Sequence, residues 1–365
     1  MSNLISKETP STGRTIVSVD AMGGDRGPTA VIAGISHSAK KNPYIGFILH
    51  GNKPQLEKLV ARRKPLVGRV EIRHAPDVVS MEDKPNQVVR SGKGTSMWSA
   101  IDSVRNGEAD VCVSCGNTGA LMMLSVVRLR KLPGVNRPAI AISWPSTSSQ
   151  GFNIMLDAGA DIRADENDLL QYALMGASYA RNGMELNRPR VGLLNVGTEE
   201  HKGRPELKLA YDLINENAEA ASFDFVGFVE GRDLPGNVAD VIVTDGFTGN
   251  VALKTGEGIA SLIGRLLREA FKFSPLSRLA AILAYTSLNR LNKRIDPRRV
   301  NGGVFLGLNG TVVKSHGSSD ATGVSAAVKL AFKLAHSGFS QKLAARVASA
   351  VSLPQDVPET SDPDN

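Results

Sequence analysis

The chain has 365 residues, with 43 Lys or Arg against 36 Asp or Glu, for a formal charge of +7. Its hydrophobic share of 42% and its 36 glycines fit a globular α/β chain and exclude collagen-like, disulfide-scaffold and wholly disordered classes. Two cysteines, Cys112 and Cys115, suit a reducing compartment, and no apolar stretch reaches the roughly 18 residues of a membrane span.

Residues 15–350 read as one α/β domain, flanked by a polar tail at 1–14 and an acidic tail at 351–365, both expected to be disordered. In chain order, Ile16–Val19 predicts a strand that runs into Asp20-Ala-Met-Gly-Gly-Asp25. Val111–Val113 runs into Cys115-Gly-Asn-Thr-Gly119. Asp168–Arg181 has a helical pattern. Val191–Val196 leads into Gly197-Thr-Glu-Glu-His-Lys-Gly203, and Glu206–Ala221 is again helical. Val241–Thr244 leads into Asp245-Gly-Phe-Thr-Gly-Asn250. Val304–Leu308 leads into Asn309-Gly310, and Val312-Val313 into Lys314-Ser-His-Gly-Ser-Ser-Asp320. β-branched runs alternating with helices predict a mostly parallel sheet. Ligands of such sheets lie beyond the carboxyl ends of the strands, where these loops fall.

A strand, a glycine turn and a helix start together make an anion site, because unpaired amides and the helix dipole face outward there. Thr118 and Thr248 add hydroxyls; Asn117 and Asn250 donate and accept. Each loop is equally readable as a capped turn. His201 and His316 are the two histidines inside such loops, and Asp20 and Asp25 bracket Gly23 and Gly24. Gly116–Gly119 and Gly246–Gly249 share the pattern G-x-T-G, a short echo compatible with two related halves. Walker, zincin and nucleophile-elbow motifs are absent, and Gly256-Glu-Gly258 lacks the third glycine of a dinucleotide fingerprint. The Cys112–Cys115 spacing has no second pair. No metal and no cofactor are expected.

Gly258–Arg299 reads as a basic amphipathic helical hairpin. Ile259, Leu262, Ile263, Leu266, Leu267, Ala270 and Phe271 share one helix face. Nine Lys or Arg stand there against Glu269 and Asp296. Phe271, Phe273, Leu276, Leu279, Ile282 and Leu283 form an apolar tip. The pattern suits packing on the core or a second subunit, or an anionic membrane surface. Scarce aromatics, 5% of the chain, argue against nucleic acid.

Val19-Asp-Ala-Met-Gly-Gly-Asp-Arg-Gly-Pro28, Ser114–Leu121, Leu194–Gly203, Val243–Lys254 and Lys314–Asp320 stand in one order. Together they resemble the bacterial phosphate acyltransferases of phospholipid synthesis, over about residues 15–340. The resemblance implies transfer of a long-chain acyl group from acyl carrier protein to inorganic phosphate. The acyl phosphate would then feed a glycerol-3-phosphate acyltransferase. It implies a three-layer α/β/α sandwich similar to isocitrate and isopropylmalate dehydrogenases and phosphotransacetylase. It also implies a homodimer at the inner face of the cell membrane, with the hairpin as the dimer and membrane element, so that the protein is cytoplasmic and peripherally bound.

On that footing the catalytic candidates are His201, His316, Asp20 and Asp245, which are not ranked. The substrate-binding candidates are Gly23, Gly24, Asp25, Gly116, Asn117, Thr118, Gly119, Asn195, Gly197, Thr198, Glu199, Gly246, Thr248, Gly249, Asn250, Ser318 and Ser319. Lys202 or Lys254 would neutralise phosphate. Rival readings are a dehydrogenase or phosphotransacetylase-like enzyme on the same fold, and a non-enzymatic membrane scaffold.

Overall fold

Apolar runs too short for helices become strands, and the alternation within each run decides which core each residue enters. The computed structural model describes residues 14–199, 201–295 and 302–351. The strands are β1 (Thr15–Asp20), β2 (Ile45–Gly51), β3 (Val70–His74), β4 (Val111–Ser114), β5 (Ala139–Pro145) and β6 (Phe152–Leu156). They continue with β7 (Arg190–Leu194), β8 (Asp224–Val229), β9 (Val241–Val243), β10 (Gly303–Leu306) and β11 (Thr311–Lys314). The helices are α1 (Gly27–Lys41), α2 (Lys53–Ala61), α3 (Pro85–Ser91), α4 (Ser96–Arg105), α5 (Thr118–Leu129) and α6 (Glu166–Met184). They continue with α7 (Pro205–Asn217), α8 (Gly246–Lys272), α9 (Pro275–Leu283), α10 (Tyr285–Ile295), α11 (Ala321–His336) and α12 (Phe339–Val351).

One sheet has the order β3-β2-β1-β4-β11-β10-β5-β6-β9-β7-β8. The block from β3 to β11 is parallel, and so is the block from β6 to β8. Antiparallel pairings of β10 with β11, β10 with β5 and β5 with β6 turn one block against the other. The tight connection through Asn309-Gly310 makes β10 and β11 a hairpin, which explains the local departure from the parallel pattern.

Val17 and Val19, Val111 and Val113, Val304 and Leu306, and Val241 and Val243 enter one core, covered by α1, α6, α7, α11 and α12. Cys112, Val312, Phe305, Ile140, Met155 and Ile242 enter the other, under α3, α4 and α5. This is the expected three-layer α/β/α arrangement.

The arm differs in detail from the expected hairpin at 258–299. Its first limb is α8, which begins at Gly246 because Asp245 caps it through the Thr248 amide at 2.8 Å. The second limb is divided into α9 and α10. Asp296, Arg298 and Arg299 lie outside the described residues, as do residues 1–13 and 352–365 of the two tails. In α8 only Gly246 and Gly249 are buried, and in α9 nothing is. Phe273 is 91% exposed and Leu283 80%. Among the described residues no helix is long and apolar enough to cross a membrane.

Candidate active site

The ladder brings Asp20 beside Ser114, Ser114 beside Lys314, and Lys314 beside Gly303. The pleat that sends Val19, Val113 and Val304 into the first core turns this row to the opposite face. There the loops after β1, β4 and β11 lock together. Asp20 is buried and accepts hydrogen bonds from Ser96 Oγ and Ser114 Oγ, both at 2.7 Å, and from the Gly23 amide at 3.2 Å. A Cβ at Gly23 would lie 2.8 Å from the Gly116 nitrogen, and Gly24 holds a φ of +92° against Cys115 and Gly317. The Asp25 amide donates to the Gly317 carbonyl at 2.9 Å. Asp20 is therefore an anchor whose oxygens are spent on tying its own loop to the end of β4 and the start of α4.

A cleft of about 930 Å³ opens between this junction, β5 and α8. Thr118, Asn250, Lys254, Glu257, Lys314 and His316 are among its polar lining. Lys314 is buried beside Asp20, Asp25 and Lys254; burial foremost pulls its amine down to about 8. Its Nζ donates to the Ser315 carbonyl. Lys254 donates to Glu257 Oε2 at 2.9 Å, and Glu257 Oε1 lies 3.8 Å from His316 Nε2. His316 foremost, with Lys254, holds the Glu257 carboxyl down to about 2. The Ser318 amide donates to His316 Nδ1 at 3.2 Å, so Nε2 is the ring nitrogen that carries the proton toward Glu257. Thr118 opens α5, so the positive pole of that helix meets the cleft. Ile140, Ile142, Trp144, Leu234, Leu253 and Ile259 supply its apolar lining.

The remaining sequence candidates stand elsewhere or do other work. Asn117 caps α5 through the Ala120 amide at 3.1 Å and ties down the carbonyls of Met81 and Asp83 at 2.9 and 3.1 Å. A Cβ at Gly119 would press on Pro85 at 2.8 Å. Asp245 is buried; it holds Thr248 Oγ1 at 3.0 Å and pairs with Arg204. Gly246 and Gly249 let α8 lie directly on the backbone of Asp161 and Asp157. His201, Lys202, Thr198 and Glu199 form an exposed turn beyond β7 that does not line the cleft; Lys202 pairs with Glu199 at 2.7 Å. Asn195 packs under that turn, its Nδ2 donating to the Lys202 carbonyl at 3.2 Å, and Gly197 lies against Lys202 and Glu199. Ser318 braces His316 at 2.9 Å, and buried Ser319 accepts from Ser315 Oγ at 3.0 Å.

Lys314, Glu257 and Trp144 were not among the sequence candidates. Lys314 carried a signal, a cation ending an apolar strand. Glu257 and Trp144 carried none, because only tertiary pairing brings them in. Cys112 and Cys115 are free and buried, and burial pushes both thiols up, Cys115 to about 11, which leaves them poor nucleophiles.

The sequence model of a family described as "Fatty acid synthesis protein" matches residues 15–342. The chain is 75% identical over 351 residues to a phosphate acyltransferase of Ruegeria sp. (strain TM1040), across 96% of this chain and 94% of that one. It is 74% identical over 346 residues to a phosphate acyltransferase of Ruegeria pomeroyi, across 95% and 93%. Among solved structures, a phosphotransacetylase from Streptococcus pyogenes aligns with a TM-score of 0.59 at 15% identity, over 88% of this chain and 94% of that one. That likeness is one of fold.

Proposed function

Since the chain belongs to the phosphate acyltransferase family of fatty acid synthesis and is an acyltransferase acting on phosphate in lipid synthesis, we propose that its acyl donor is the long-chain thioester of acyl carrier protein and that the cleft under α8 is where transfer occurs. The observation that carries this is the meeting, in one cleft, of Lys254 and Lys314 with a largely apolar lining. Phosphate needs the first and a fatty acyl chain the second.

Lys314 and Lys254 neutralise phosphate, while Thr118 and Asn250 donate to its oxygens. His316, fixed by Ser318 and Glu257, offers its Nε2 proton to the same anion. A phosphate oxygen attacks the thioester carbonyl carbon. The tetrahedral oxyanion gains from the ammonium groups and the α5 dipole in a site partly closed to water. The C–S bond then breaks, the carrier leaves as a thiolate that takes a proton, and acyl phosphate remains. The dianion is already a nucleophile and the thiolate a good leaving group, so alignment supplies much of the rate. No acyl-enzyme is required. The product would serve a glycerol-3-phosphate acyltransferase.

The arm belongs to the same reading. Its exposed apolar ridge and its Arg265, Arg268, Lys272 and Arg278 suit the anionic inner surface of the cell membrane at the tip. On this reading a second copy of the chain would pack at its base.

Purified protein is to be incubated with palmitoyl carrier protein, with and without inorganic phosphate, while free carrier thiol and acyl phosphate are followed. Both should appear together and only with phosphate. Thiol release that ignores phosphate, or no release by folded protein, would overturn the reading.

A further inference from the structure

We infer that Met81 shields the reacting thioester from water, so that phosphate rather than water takes the acyl group. The inference rests on the cleft reading above and adds to it a residue that selects the acceptor. A site that gathers Lys254, Lys314 and the α5 dipole around a thioester carbonyl stabilises the oxyanion whichever oxygen attacks. Attack by water would break the same C–S bond and release the same carrier thiol, but it would leave a fatty acid in place of acyl phosphate. Water always outnumbers phosphate, so the outcome is decided by what can reach the carbonyl.

The segment between β3 and α3 supplies the shield. Val79 is buried in the second core, and Pro85 packs on Gly119, which pins the chain on both sides of a turn at Ser80–Asp83. The turn closes on itself, the Ser80 amide donating to Asp83 Oδ2 at 2.8 Å. Asn117 clamps it, its Nδ2 donating to the Met81 and Asp83 carbonyls at 2.9 and 3.1 Å. The side chain of Met81 reaches across to Gly317, where a Cβ would lie 2.8 Å from its Cε. Backbone and tip are thereby fixed at Asn117 and Gly317, the chain neighbours of the polar cleft residues Thr118 and His316. Met81 itself lines the cleft while 43% of it remains exposed to solvent, so it forms part of the wall between the two. Its thioether is too weak an acceptor to hold an ordered water there, and its flexible stem yields to an entering substrate.

The test follows carrier thiol and acyl phosphate as initial rates from palmitoyl carrier protein at saturating phosphate, corrected for breakdown of added palmitoyl phosphate. In the unaltered chain the two rates should match. Met81→Ala should raise the thiol released without acyl phosphate by roughly tenfold, the low end of what one apolar side chain contributes to selectivity in a pocket, with palmitic acid as the matching product. Met81→Leu, of similar volume, should restore the match. Asn117→Asp keeps an oxygen to cap α5 but loses the Nδ2 donor, so it should shift the partition in the same direction as Met81→Ala, and it decides the matter should Met81→Ala fail to fold. A merely structural defect lowers both rates together and leaves their ratio alone. Matched rates in the folded variants overturn the inference while leaving phosphate-dependent transfer intact. The parent reading fails separately: no phosphate-dependent transfer by the unaltered chain, or an unchanged KM for phosphate in Lys254→Ala, removes it and this inference with it.

Discussion

Glu257 of α8 stands 3.8 Å from His316 in the loop after β11 and takes a 2.9 Å hydrogen bond from Lys254. α8 follows the block of strands that contains β9, whereas His316 follows the oppositely directed block that contains β11. One carboxylate therefore aligns two candidate phosphate ligands drawn from both halves of the sheet. Glu257→Gln should lower kcat/KM by about tenfold, the loss of one charge-assisted contact. It also carries a stability signature. His316 foremost, and Lys254, hold Glu257 from 4.5 down to about 2, so its contribution is complete above the unfolded value and lost as pH falls. The melting difference between the native chain and Glu257→Gln should narrow as pH drops from 4.5 toward 2. A constant difference across that window would show that the pairing does not act in solution.

Lys314 is tested by its charge. Burial lowers its amine to about 8, so the cation that phosphate needs is lost above that pH. kcat/KM for phosphate should fall on the alkaline side with a midpoint near 8. Stability should move the other way. Between about 8 and 10.5 the unfolded chain holds a proton that the folded chain has released, so this group's contribution to stability rises with pH across that window. Lys314→Met should lose roughly 100–1000-fold in kcat and lose the stability gain, without a lower melting temperature near neutrality. A variant with native phosphate kinetics would remove Lys314 from the reaction.

Lys254 and Lys202 make a matched comparison. Lys254 lines the cleft; Lys202 pairs with Glu199 on an exposed turn. Lys254→Ala should raise the KM for phosphate about tenfold, the scale of one lost charged hydrogen bond. Lys202→Ala should leave phosphate kinetics unchanged and stability within about 0.5 kcal/mol, as for most exposed pairs. The reverse ranking in steady-state kinetics would move the anion site to the loop after β7.

The parts legible in the sequence are those written locally. Apolar runs ending in Gly-rich loops announced β1, β4, β9 and β11, and with them Asp20, Thr118, Asn250 and His316. The apolar lining of the cleft was not legible. β5 reads Ala-Ile-Ala-Ile-Ser-Trp-Pro, and only its pairing with the distant β10 gives Ile142 and Trp144 a place beside Lys314. Glycine also misleads as a sign of anion binding. Gly246 and Gly249 serve the close approach of α8 to Asp157 and Asp161. The G-x-T-G echo does not extend to capping: Asn117 caps α5 from inside its motif, and Asp245 caps α8 from just before the other.

The arm offers a separable prediction, because α9 packs on α8 and α10 and buries no residue of its own. Leu276 is 76% exposed and Leu283 80%. Burying a leucine in an apolar phase is worth about 1.5–3 kcal/mol, so the pair could supply well over a tenfold preference for lipid. Leu276→Asp with Leu283→Asp should cut binding to anionic phosphatidylglycerol vesicles by at least about tenfold. Transfer from soluble thioester should be unaltered, since neither residue lines the cleft. Residual binding of the native chain should weaken with added salt, because Arg265, Arg268, Lys272 and Arg278 act on the surface through screened charge. Vesicle flotation measures the first effect, and sedimentation of the free protein separates it from assembly. Undiminished flotation would take the membrane contact away from α9, and a shift from dimer to monomer would make this ridge an interface between copies of the chain.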